Sequence, residues 1–378
     1  MTDVVIAAYR RSPFHFAGKG ELVKLRPDEM AAQVVKALVA ETGIDPATIE
    51  DIVVGCAFPE GEQGLNVAKL IGFIAGLPET VAGATVNRFC GSSMQSVHQA
   101  AGAIRMGAGE AFLCAGVESM TRVPMMGFNP MPHLGLAEGY PQAFVSMGET
   151  AENVARRHQV TRRDQEEFAV RSHQKAAAAQ ADGRLEGEIV PVTVGGKTVA
   201  QDGCIRPETT AESLAGLKPA FRADGTVTAG TSSPLTDGTA ALLVCTADYA
   251  KRHGLTPLAR VKSVAVAGCA PEVMGMGPVE ATRKALSRAG ITAKELDVVE
   301  LNEAFASQAL ACMRQLGIDE AKVNKDGGAI ALGHPLGATG ARITGKAAQV
   351  LQRDGGRYAL ATQCIGGGQG IATVLEAV

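Results

Sequence analysis

Apolar residues recur at three- and four-residue intervals through RPDEMAAQVVKALVAETG (26–43), the periodicity of a helix with one buried face. A turn around Gly43-Ile44, a short acidic segment and an apolar strand-like run ending at Gly55 follow. The same order returns in GPVEATRKALSRAGITAKELDVVELNEAF (277–305). Each copy leads on to Val-Asn and a glycine-containing turn into a helix: VNRFCGSSMQSVHQAAGAI from Val86 and VNKDGGAIALGHPLGATGARITGKAAQV from Val323. Each then reaches an apolar strand, AFLCAGVES from Ala111 or YALATQCIGG from Tyr358. Two βαβ-like halves in matched order predict duplicated α/β domains with mixed sheets and covering helices.

Residues 119–235 have a different texture. A Met/Pro-rich loop comes first, then a polar helix that opens at the N-cap-like Thr161 and ends at Gly183. The strand-like AALLVCTAD (240–248) reads as a return to the first half. The expected division is an N-terminal half of residues 1–118 plus 236–254, an inserted loop domain of 119–235, and a C-terminal half of 255–378.

Composition narrows the function. Glycine supplies 45 of 378 residues, more than the usual share, which signals tight turns or close approaches of backbone to a ligand. With no Trp and only 4% aromatic residues, stacking platforms for nucleic acid are poorly supplied, and a net charge of −3 gives no basic field for nucleic acid or a membrane surface. MTDVVIAAYRRSPF has its acidic residue ahead of the apolar run and its basic residues behind, the reverse of a secretory signal. No apolar stretch approaches the 18 or so residues of a membrane span, and the cytoplasm is the expected location. The eight cysteines form no CxxC pair or histidine cluster, against both a disulfide framework and a structural zinc site. Cys56, Cys114, Cys245 and Cys312 read as packing residues.

Cys90 and Cys364 differ, because Gly and Ser follow them closely in place of Val and Leu. A cysteine at a helix N-terminus gains from the helix dipole and free N–H groups, which lower its pKa; the alternative is a buried cysteine closing a strand. Among possible bases, His158, His173 and His253 lie in polar stretches and read as solvated. His98 is eight residues along the same helix from Cys90, about 12 Å away and out of contact. His334 stands out, since the glycines of GGAIALGHPLGATGAR and Pro335 give it a special backbone. Its loop occupies in the second half the position that the Cys90 loop occupies in the first, so pseudo-twofold packing would bring both to one crevice. Asn302, at the end of a strand, could hold a water or donate to an oxyanion, although alone such an Asn is more often a turn former. Cys364 opens the glycine-rich CIGGGQG, whose N–H groups can face a site. Two thiols, one histidine and two donor sets point to carbon–carbon bond chemistry on thioesters.

In NRFCGSSMQ, NEAFA, the histidine loop and CIGGGQG, taken in order, the chain resembles the thiolases over essentially its whole length. The resemblance implies a five-layered αβαβα fold with an inserted loop domain, a homodimer or homotetramer, and reversible thiolysis of a 3-ketoacyl-CoA. No permanent cofactor or metal is implied; coenzyme A and acyl-CoA are substrates, and a fatty-acid oxidation enzyme is a possible partner. By position, Cys90 would carry the acyl group, His334 would activate it, Asn302 would hold a water, and Cys364 would be the acid/base. The N–H groups of Cys90 and Gly366 would bind an oxyanion. Ser233 and Met147 would meet pantetheine, Arg206 the adenine, and Phe305 would wall the acyl pocket.

Some positions depart from the pattern of many biosynthetic members: Ser92-Ser93 after the nucleophile, Ser146, and Thr231-Ser232-Ser233. These choices resemble the degradative, fatty-acid type. Asn324-Lys325-Asp326-Gly327-Gly328 adds charge near the histidine loop, and the Met-rich segment 120–131 could adapt to acyl chains of different length. A biosynthetic acetyltransferase making acetoacetyl-CoA stays open as an alternative. A decarboxylating condensing enzyme, with histidine in place of Asn302 and no second thiol, fits less well. So does a CoA-binding protein without the reaction, given all four residues together.

Overall fold

A computed structural model describes residues 2–378. The chain begins with β1 (Val4–Arg11), β2 (His15–Phe16), α1 (Pro27–Thr42), β3 (Asp51–Gly55), α2 (Val67–Ala75), β4 (Ala82–Val86), α3 (Ser92–Arg105) and β5 (Ala111–Ser119). The segment of different texture holds α4 (Leu134–Gly139), α5 (Met147–Arg157), α6 (Arg162–Ala181), the hairpin β6 (Val192–Val194) with β7 (Lys197–Val199), and α7 (Ala211–Ala215). Then come β8 (Thr236–Thr246), α8 (Ala247–Arg252), β9 (Ala259–Gly268), α9 (Gly277–Ala289), β10 (Val298–Leu301) and α10 (Ala306–Leu316). The chain ends with α11 (Ala329–Leu332), α12 (Leu336–Asp354), β11 (Tyr358–Ile365) and β12 (Gln369–Glu376).

The repeated sequence has repeated stop signals. α1 opens with Pro27 and ends at Gly43 in the left-handed conformation; α9 carries Pro278 in its first turn and ends at Gly290 in the same conformation. Thr161 caps α6 through a capping box, as its sequence predicts.

The main sheet runs β10-β11-β12-β9-β1-β8-β5-β3-β4, with β2 also on β8. Read outward from the β1–β9 junction, each side repeats the other. β8 lies antiparallel between β1 and β5, and β12 antiparallel between β9 and β11. β3 is parallel to β5 and β4, while β10 is parallel to β11 and bridges Val323, where β4 has its counterpart. At the junction itself only Val5–Arg260 and Ile6–Ala259 pair.

Alternating strand side chains feed separate cores. Val35, Leu38 and Ile71 of α1 and α2 pack on Ile52, Leu113 and Leu243 of one half-sheet. Val279, Leu286 and Leu310 of α9 and α10 pack on Val299, Leu360 and Val374 of the other. Between the half-sheets, Met94 and Val97 of α3 and Ile343 and Leu351 of α12 meet Phe112 and Leu242 on one side and Ala359 and Ile371 on the other. The result is the αβαβα arrangement that the resemblance implies. α3 and α12 cross closely because Gly340 lacks a Cβ, which would lie 2.3 Å from the Met94 nitrogen. The turn before α3 and the loop before α12 therefore meet at one end of the middle layer. No helix among the described residues is long and apolar enough to cross a membrane.

Candidate active site

Cys90 stands on a tight turn between β4 and α3, after Phe89 in the left-handed region at φ 43°. Such a conformation is strained for a residue with a large side chain. The Gly366 N–H and the thiol's own backbone N–H point at the sulfur and pull its pKa down. Burial is the stronger effect and pushes the thiol up to about 11. The sequence expectation of a lowered pKa is thereby corrected: the helix end lies inside the middle layer, where desolvation outweighs the dipole, and the resting group is a thiol.

His334 supplies the complementary group. Burial holds its pKa down at about 3, with Arg342 adding to the effect, so the ring is neutral. The Thr339 hydroxyl donates to the Pro335 carbonyl (3.0 Å), which leaves its lone pair to accept from His334 Nδ1–H at 2.6 Å. This network assigns the proton to Nδ1. Nε2 then carries the lone pair, faced by Asn302 Nδ2 at 3.3 Å. Asn302 Oδ1 is buried and has no protein partner.

Cys90, His334 and Cys364 line one cavity of about 260 Å³. Its walls are mostly apolar: Met120, Met125, Met147, Met274, Phe221 and Phe305, the last two rings meeting edge to face at 5.9 Å. Ser233 also lines it and donates its hydroxyl to the Ala304 carbonyl at 3.0 Å. Cys364 is fully buried and its pKa lies well above the usual thiol value through burial and the nearby Cys90. Gly366 lies beside Met147, with room at its Cα for no more than ordinary contact.

The cavity thus gathers Cys90, His334, Cys364, Ser233, Met147 and Phe305, with Asn302 and Gly366 one contact behind. Arg206 does not line it. Its guanidinium lies over the Phe16 ring at 5.7 Å, and its backbone N–H donates to His173 Nδ1 at 3.1 Å. His173 is consequently buried at 1% exposure, a correction to its reading as solvated; α6 turns this position onto the chain at residue 206. His158 is half-buried and His253 exposed. His98 bonds Thr373 on β12 at 2.8 Å, away from Cys90. Asp326, an added charge near the histidine loop, is buried against Lys346 (2.8 Å) and Arg353 (2.7 Å).

Three polar residues near the site went unread in the sequence. Buried Glu118 accepts from the N–H groups of Ala57 (2.8 Å) and Gly337 (2.8 Å), tying the first-half loop to the start of α12. Thr339 fixes the histidine, and Gln363 Nε2 donates to the Cys90 carbonyl. A threonine five residues after the histidine was a visible signal; the other two depend on contacts across the halves.

Comparison with known proteins agrees with this geometry. The family description "Thiolase, N-terminal domain" matches residues 4–248, and "Thiolase, C-terminal domain" matches 255–377. The chain is 48% identical to a 3-ketoacyl-CoA thiolase of Bacillus subtilis and 49% identical to one of Pseudoalteromonas translucida, each over 100% of both chains. Human mitochondrial 3-ketoacyl-CoA thiolase superposes with a TM-score of 0.92 at 37% identity, covering 100% of this chain and 99% of that one. A second structure of that enzyme, in complex with CoA, matches with the same score and covers 98% of its chain. With its two half-sheets, facing turns and paired thiols, the chain belongs to the thiolase family.

Proposed function

We propose that this chain is an acyl-CoA C-acyltransferase that cleaves 3-ketoacyl-CoA with CoA, reversibly, to acetyl-CoA and a shortened acyl-CoA. The observation that carries it is the convergence of two thiols and a neutral histidine on one apolar cavity. His334 Nε2 takes the Cys90 proton as sulfur attacks the keto carbon. Collapse of the adduct breaks the bond between the α and keto carbons and leaves acyl-Cys90. The electron pair becomes the acetyl-CoA enolate, whose oxygen meets His334 Nε2–H and a water on Asn302. The Cys364 thiol protonates the enolate carbon. Its thiolate then takes the proton of incoming CoA, whose sulfur attacks the thioester and releases Cys90, which recovers its proton from His334. The Cys90 and Gly366 N–H groups bind the tetrahedral oxyanion; removal of such a donor costs about 3–4 kcal/mol.

Ser233 and Met147 contact pantetheine, Arg206 reaches the nucleotide end from beside Phe16, and Phe305 walls the acyl pocket. The physiological role in this reading is fatty-acid β-oxidation in the cytoplasm, by a homodimer or homotetramer, with a further enzyme of that process as partner. Run in reverse, the same site condenses two acetyl-CoA; the methionine-rich wall favours longer acyl groups. The division into 1–118 with 236–254, 119–235 and 255–378 belongs to the same proposal, supported by β8 pairing with β1 and β5.

Intact-protein mass after incubation with acetyl-CoA tests the reading. An acetyl adduct is expected on the native chain, absent from Cys90→Ala and discharged by free CoA. An undiminished adduct in the variant, or none on the native chain, overturns it.

A further inference from the structure

The two donors of the oxyanion site come from different halves: one from the Cys90 turn, the other from the loop after β11. Three contacts bridge the gap. Gln363 is fully buried on β11, and strand alternation sends its side chain to the face opposite Cys364. There its Nε2 donates to the Cys90 carbonyl, while its Oε1 is buried with no partner. Arg88, two residues before the nucleophile, donates through Nη1 to Gln369 Oε1 at 2.9 Å, and Gln369 Nε2 reaches the Gly366 carbonyl at 3.5 Å. Gly91 docks against Ile365, where a Cβ would come within 2.5 Å of the side chain.

A buried amide that leaves its oxygen unpaired is costly, by more than one ordinary hydrogen bond repays. Here the amide spans from the strand carrying Cys364 to the backbone of Cys90. The strained turn at Phe89 is held locally by Asn87 and Ser92, and these contacts add a hold from the other half.

We infer that Gln363 is a positioning residue for the reaction, holding the Cys90 turn in register with the Gly366 donor, with Arg88 and Gln369 as a second brace. The inference rests on the thiolytic reading for its catalytic consequence, and on geometry alone for its effect on the thiol. A misplacement of about 1 Å at a reacting group costs about 10²-fold in rate.

The test uses Gln363→Met, close to isosteric, and Gln369→Met at a half-buried position. Single-turnover acetylation by acetyl-CoA is expected to slow about 10²-fold in Gln363→Met and about tenfold in Gln369→Met, with KM for acetyl-CoA within about threefold of native. The pH profile of iodoacetamide alkylation at Cys90, located by peptide mapping, is expected to move to higher pH in both, because the Gly366 N–H no longer faces the sulfur. Arg88→Met should behave like Gln369→Met, and Arg88→Lys should recover part of the loss. Native rates and an unmoved alkylation profile in Gln363→Met overturn the inference. If that variant does not fold, the same native values in Gln369→Met overturn it. A native chain that is never acetylated defeats the thiolytic reading instead, and the alkylation profiles still decide on the brace.

Discussion

Thr339→Val separates the proposed base, His334, from its support without removing volume. In the native site the hydroxyl accepts from His334 Nδ1–H, and Nε2 keeps the lone pair that the proposed mechanism uses to take the Cys90 proton. Valine leaves that N–H buried without an acceptor, a cost of about 1–3 kcal/mol. The ring has a way out: the proton moves to Nε2 and the Asn302 amide turns its unpartnered Oδ1 to accept it. That rearrangement gives the displaced proton an acceptor, leaves a bare Nδ1 against the valine, and removes the proposed base. At about 1.4 kcal/mol per factor of ten, the competent tautomer falls about five- to 150-fold. The assay is the rate of Cys90 acetylation under single-turnover conditions, followed by intact mass. Acetylation should slow by that factor with KM for acetyl-CoA little changed, and Thr339→Ser should restore most of it. Acetylation of Thr339→Val within twofold of native would refute the tautomer assignment.

Cys364→Ala should abolish exchange of the acetyl-CoA α-protons with D2O, read by NMR, and lower thiolysis about 10²- to 10⁴-fold. Exchange at the native rate would remove Cys364 from proton transfer. Burial holds His173 at about 4 against an ordinary 6.5, so the unfolded chain takes up a proton that the native chain does not. Its contribution to stability is complete above about pH 6.5 and is lost as pH falls towards 4, at up to about 1.4 kcal/mol per pH unit. Urea titrations should therefore show the native chain losing stability relative to His173→Asn as pH falls from about 6.5 towards 4, and parallel curves count against the buried neutral ring. Arg342→Met strands Glu300 without its 2.9 Å partner at 1% exposure and should cost about 3–5 kcal/mol in thermal or urea unfolding. Adding Glu300→Gln should recover much of that loss; no recovery would mean that packing, and not the stranded charge, sets the cost.

What could be read from sequence was whatever repeats locally. The periodicity of 26–43 and 277–289, with their glycine stops, gave both outer helices, and Cys90, His334 and Cys364 were conspicuous because glycine surrounds each. Gln363 gave no such signal: a polar residue inside TQCI looks like an interruption until the other half arrives beneath it. Glu118 is hidden for the same reason, since its acceptors' partners lie 61 and 219 residues away. The reading of Cys90 as an acidic thiol was a local rule overruled by enclosure. The polar stretch around His173 misled because one face of α6 is covered by a loop some thirty residues on.

The mirrored strand order has a consequence for the growing chain. The N-terminal arm of the mirror brings the proposed nucleophile, and the groups proposed to activate it lie downstream, with His334 as the base and Gly366 as the opposing donor. A ribosome that has translated as far as β8 has made a thiol with no partner to wake it. Competence is switched on only when the second arm folds over the first.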